Sequence, residues 1–68
     1  MTIQIELNGE AHSVAGGGSL HELIDSLQLT GQALAVAVNR QIVSRHLWRE
    51  RVLESNDRVD IVRAIGGG

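Results

Sequence analysis

The sequence predicts an α+β roll, a mixed sheet of four to five strands packed on one helix. Three observations carry this. Apolar and polar residues alternate with a period of two near both ends of the chain. One segment in the first half has helical spacing instead, with a capping signature at its start. Turn signals separate the alternating stretches, at Asn8-Gly9, Asn39-Arg40 and Ser55-Asn56-Asp57. A length of 68 residues suits a single domain, expected over residues 1–65 with a flexible glycine tail over 66–68.

Each element has its own warrant. Ile3, Ile5 and Leu7 alternate with Gln4, Glu6 and Asn8, which predicts a half-buried strand. Asn8-Gly9 then favours a two-residue hairpin, because both residues tolerate positive φ. Glu10 to Val14 returns as a weaker strand, with Ala11 and Val14 as its apolar content. Ala15-Gly16-Gly17-Gly18 breaks it. Ser19-Leu20-His21-Glu22 is a capping box, and Leu20, Leu23, Ile24 and Leu27 form one apolar stripe. A helix of about ten residues is expected, ended by Gly31 in the left-handed region.

Ala33 to Val38 alternates small and large apolar residues, which predicts a strand covered on both faces and central in its sheet. Gln41-Ile42-Val43 is a short return strand after the Asn39-Arg40 turn. Ser44 to Leu53 is compatible with more than one conformation, with Leu47-Trp48 as a helical turn plugging the core. Arg58 to Ile65 is the last strand, placing Val59, Ile61 and Ile65 on one face and Val62 and Ala64 on the other.

Composition removes several classes of function. Hydrophobic residues make up 43%, a globular proportion. So short a chain buries only about 60% of its unfolded surface and cannot easily enclose a deep catalytic pocket. The absence of Cys removes disulfides, zinc–cysteine sites, iron–sulfur clusters and thiol nucleophiles. All six cations are Arg, so there is no lysine nucleophile and no lysine to accept a modifier. A net charge of −2 argues against nucleic-acid binding. No apolar run approaches the ~20 residues of a membrane span, and Met1-Thr2-Ile3-Gln4 does not open like a signal peptide. The chain is therefore expected to be soluble, and cytoplasmic in a bacterium. Charge is uneven: Glu6, Glu10, Glu22 and Asp25 face no Arg in residues 1–30, whereas all six Arg follow. Such asymmetry can orient a partner.

Four candidate sites remain. Gly16-Gly17-Gly18 before a helix invites a phosphate reading, but the P-loop lysine is missing and His21 stands where a dinucleotide fingerprint needs its third glycine. A plain loop is the better reading. His12, His21 and His46 show no metal-ligand spacing, and Ser13 and Ser19 have no triad pattern. Arg45, Arg49 and Arg51 around Trp48 suggest RNA stacking, but Glu50 and Glu54 dilute the charge and a core Trp is favoured.

The fourth candidate is the tail. Gly66-Gly67-Gly68 follows directly on an apolar strand. Three extended residues reach roughly 10 Å, and without Cβ atoms they pass a slot closed to other residues. A carboxylate is a poor electrophile until adenylation supplies a leaving group. ATP and Mg would belong to a partner enzyme, and this chain is expected to bind no cofactor or metal itself. If the carried atom is sulfur, no side chain here could hold it, leaving a C-terminal thiocarboxylate.

The sequence resembles the sulfur carriers of thiamine biosynthesis, in the ubiquitin-like β-grasp superfamily. The matching segments are the hairpin from Ile3 to Asn8-Gly9, Leu20-His21-Glu22-Leu23, Ala35-Val36-Ala37-Val38-Asn39 with Ile42-Val43, the Trp48 region, Asp57-Arg58-Val59 and Gly67-Gly68. Two departures are visible. Asn56-Asp57 stands where Gly-Asp is common, and Gly66 adds a third glycine. The resemblance implies a β-grasp sheet with its first and last strands parallel at the centre. It also implies that a ubiquitin-activating-type adenylyltransferase adenylates Gly68. A cysteine desulfurase persulfide would supply sulfur, and thiazole synthase would receive it. The chain would be a cosubstrate, not a catalyst. Val62, Ala64 and Ile65 are the expected docking residues. Rival readings are a molybdopterin synthase small subunit, a ubiquitin-like protein modifier and an interaction module with an inert tail.

Overall fold

The computed structural model describes residues 1–63. The expected continuation of the last strand through Ala64 and Ile65, and the tail Gly66, Gly67 and Gly68, lie outside the described residues. The strands are β1 (Thr2–Leu7), β2 (Glu10–Ala15), β3 (Leu34–Val38), β4 (Gln41–Ile42) and β5 (Arg58–Arg63), with one helix, α1 (Leu20–Ser26), between β2 and β3. They form one sheet in the order β2-β1-β5-β3-β4. β1 and β5 are parallel, and every other pair is antiparallel. This is the β-grasp arrangement, with the first and last strands adjacent at the centre.

One face of the sheet carries the core. Ile5, Val36, Val38 and Val59 bury against Leu20, Leu23 and Ile24 of α1, and Trp48 and Leu53 close the remainder. Burial of each such side chain contributes on the order of 1.5–3 kcal/mol. Trp48 is 3% exposed, and its indole N–H donates to the Val43 carbonyl at 3.0 Å. It finishes the core as expected. Leu47, in the single 3₁₀ turn Arg45–Leu47, does not; it is partly exposed.

Three expectations need correction. The helix has seven residues rather than about ten. It is closed at Gln28 rather than at Gly31, although Gly31 does take the expected left-handed φ, +88°: Gln28 takes φ +60° and donates to Asp25 O at 2.9 Å, while Leu29 donates to Ile24 O at 3.1 Å. That is a Schellman closure built on a non-glycine residue, with Leu29 packed against the core beside Ile24. Second, β3 is not covered on both faces. Val36 and Val38 point inward, whereas Ala35 is exposed on a face that no described residue covers. β3 is an interior strand, between β5 and β4, and β5 is the middle strand of the five. Third, Ala11 adds nothing to the core, because it alternates to the outer face while His12 and Val14 point inward.

Candidate functional site at the open sheet face

The last strand is held along both edges. Its neighbour β3 pairs from Val38↔Val59 to Leu34↔Arg63, up to the end of the described chain. Its neighbour β1 pairs only at Glu6↔Arg58 and Leu7↔Val59 before turning into the hairpin. Two asparagines extend this grip. Asn39 and Arg40 both take positive φ, at 52° and 69°, and Asn8 and Gly9 do so at 49° and 86°. Each asparagine opens a two-residue hairpin turn and also bonds to β5. Asn39 donates its backbone N–H to Arg58 O at 2.7 Å and accepts the Arg58 N–H on Oδ1 at 2.9 Å. Asn8 donates its backbone N–H to Val59 O at 2.9 Å and accepts the Ile61 N–H on Oδ1 at 2.8 Å.

At the start of β5 the grip is reinforced by Asp57, which is 7% exposed. Its carboxylate accepts from Asn39 Nδ2 at 3.0 Å, from the Glu54 N–H at 2.8 Å and from Arg51 at 3.4 Å. The preceding Asn56 stands at φ +71°, so it does take the left-handed conformation that the commoner glycine would supply.

Among the described residues nothing covers the outer face of the sheet, and it is partly apolar. Val62 is 62% exposed and faces Ala35 across the β3–β5 pair; Ile42 is 75% exposed beside Ala37. Arg58 lies on the same face, ion-paired to Asp60 at 3.3 Å and Glu6 at 3.7 Å. Of the three expected docking residues, Val62 is where the sequence placed it, and Ala64 and Ile65 lie outside the described residues. Sequence reasoning missed Ala35, Ala37 and Ile42. Their signal was the small residue at every second position of β3, which marks an apolar outer face as readily as a buried one.

The other candidates resolve into structure. All four amides at the start of α1 are engaged. Glu22 Oε2 accepts from Ser19 N, Ser19 Oγ accepts from Glu22 N, Arg51 O accepts from Leu20 N and Trp48 O accepts from His21 N. None of these four helix-start amides is left for a phosphate. A Cβ at Gly18 would meet Glu22 Oε2 at 2.9 Å and the Ala15 carbonyl at 3.2 Å, so a larger residue there would displace the carboxylate that caps Ser19 N. His12, His21 and His46 form no metal-holding group among the described residues. The Trp48 ring is buried under Arg45, 5.2 Å from its centroid, and is no stacking platform for a base. No helix among the described residues is long and apolar enough to cross a membrane.

Comparison with known proteins converges on one family. The ThiS family model matches residues 5–68. The chain is 33% identical over 66 residues to the sulfur carrier protein ThiS of Escherichia coli, covering 97% of this chain and 100% of that protein. It is 36% identical over 66 residues to a thiazole synthase of Magnetococcus marinus, covering 97% of this chain but 20% of that protein. The fold matches the crystal structure of a thiamine biosynthesis protein, ThiS, from Geobacter metallireducens with a TM-score of 0.83 at 22% identity, covering 97% of this chain and 100% of that one. The chain therefore belongs to the ThiS family, sulfur carriers of thiamine biosynthesis, and is a carrier rather than an enzyme.

Proposed function

We propose that Gly68 is the sulfur-carrying residue and that its carboxylate is activated by a partner, an adenylyltransferase of the ubiquitin-activating type. A Gly68 carboxylate oxygen attacks the α-phosphorus of ATP, held with Mg by that partner, and pyrophosphate leaves. The terminal sulfur of a protein persulfide, loaded by a cysteine desulfurase, then attacks the acyl-adenylate carbonyl and displaces AMP. Two electrons from a thiol cleave the resulting S–S bond and leave the thiocarboxylate. Thiazole synthase takes up this sulfur. A relative in which a segment like this chain occupies a fifth of a thiazole synthase supports that pairing. It also favours the thiamine pathway over the molybdopterin pathway and over protein modification.

One observation carries the reading. The central strand of the sheet is held on both edges, by β3 as far as Arg63 and by β1 and Asn8 as far as Ile61, and in the sequence Gly66-Gly67-Gly68, three residues without side chains, follow it closely. A body so built presents a thin carboxylate arm without having to enclose any chemistry itself. The exposed Val62, with Ala35, Ala37 and Ile42, forms an apolar face beside the arm's root suited to reversible docking, and Ala64 and Ile65 would extend it. The test is removal of Gly67-Gly68. Pyrophosphate release in the presence of the activating enzyme and ATP should vanish while the melting temperature stays unchanged. Continued release from the shortened chain would overturn the proposal.

A further inference from the structure

The Asn8-Gly9 turn has a second task that a hairpin alone does not require. In a parallel ladder, one residue donates its N–H to a carbonyl of the neighbouring strand. Its own carbonyl then accepts from the N–H two residues further along. Glu6 donates to Asp57 O at 2.9 Å in this manner, and Asn8 donates to Val59 O at 2.9 Å. The next bond in the series belongs to the Asn8 carbonyl and the Ile61 N–H. With φ at +49°, however, the Asn8 backbone has already turned into the hairpin. Its side-chain Oδ1 takes the carbonyl's place, 2.8 Å from Ile61 N. The parallel ladder thus runs one step past the end of β1, on a side chain.

We infer that Asn8 is a positioning residue for the C-terminal arm: its Oδ1 fixes the direction in which β5 leaves the sheet. On the β1 side of the strand this is the last bond among the described residues; on the other side β3 still pairs with Arg63. A strand gripped on one edge only can hinge about that edge. Between Ile61 and Arg63 the chain spans at most about 7 Å, so a tilt of about 10° at Ile61 already moves the end of the described strand by about 1 Å. A misplacement of about 1 Å can cost a hundredfold in rate at a reacting centre. The inference rests on the carrier reading above and assigns Asn8 a part in it that turn geometry does not demand, since glycine would serve that turn equally well.

The experiment compares Asn8→Gly and Asn8→Asp with the unaltered chain. Glycine keeps the positive φ and removes only the acceptor; aspartate keeps both. Amide hydrogen exchange at Ile61 reports the bond directly, and steady-state adenylation by the activating enzyme reports its consequence. In Asn8→Gly, Ile61 exchange should accelerate and kcat for adenylation should fall by roughly tenfold or more. KM for the carrier should hold, because the outer face is untouched. Asn8→Asp should restore both. Faster Ile61 exchange with wild-type kcat overturns this inference and leaves the carrier reading intact. So does a loss that Asn8→Asp fails to rescue, or one that falls on KM. An unaltered chain that is not adenylated at all overturns the carrier reading and this inference with it.

Discussion

The two asparagine turns solve one geometric problem in two settings. Both open a two-residue hairpin at positive φ, and both lend Oδ1 to an N–H of β5. At Asn39 the bond belongs to a network. Nδ2 reaches the buried Asp57, which also holds the Glu54 amide and meets Arg51. At Asn8, among the described residues, there is one side-chain bond, an exposed one to the Ile61 amide. The start of β5 is therefore anchored by cooperative polar contacts centred on the buried Asp57 carboxylate, while its end is aimed by one exposed side-chain hydrogen bond among the described residues. Stability concentrates at the first end, and direction is set at the second. A carrier whose reagent lies beyond the second end needs both.

The largest break in this comparison should come from Asp57→Ala. It strips an acceptor from Asn39 Nδ2 and from the Glu54 amide in a site water barely reaches, at a cost of about 2–4 kcal/mol. For a domain of this size that is a fall in melting temperature of roughly 10–25 °C by thermal unfolding. A smaller loss, about 1–2 kcal/mol, is expected for Asn39→Gly, which keeps the turn but gives up both side-chain bonds. The smallest is Asn8→Gly, below about 1 kcal/mol, since its bond is exposed. The order matters more than the values. If Asn8→Gly proved as damaging to stability as Asp57→Ala, the division between an anchored end and an aimed end would be gone.

Much of this was legible in the sequence, for reasons that differ along the chain. The period-two pattern of Ile3, Ile5 and Leu7 and the capping box at Ser19 are local signals, and β1 and the start of α1 follow them. The end of α1 was not legible, because Gln28 has no intrinsic preference for φ +60° and takes it to bring Leu29 onto the core. The backbone from Ser44 to Leu53 was not legible either, although the core role of Trp48 was. Its polar groups find partners far away in sequence: Trp48 and Arg51 carbonyls on the first amides of α1, and the Leu53 amide on Gly18 O. For the outer face, Val62 could be read directly, whereas Ala35, Ala37 and Ile42 became part of it only once β3 had neighbours. Asn8 looked like a turn residue and no more. Its bond to Ile61 depends on the register of β1 against β5, across 53 positions.

The central claim is that the carboxylate of Gly68 is the reagent this body holds out. It is tested most directly by the mass of the C-terminal peptide after the purified chain meets its activating enzyme, ATP, a persulfide donor and a thiol. The account predicts replacement of one oxygen by one sulfur, localised to Gly68 and dependent on ATP. A C-terminal peptide of unchanged mass, from an activating enzyme shown to load its own carrier, would contradict it.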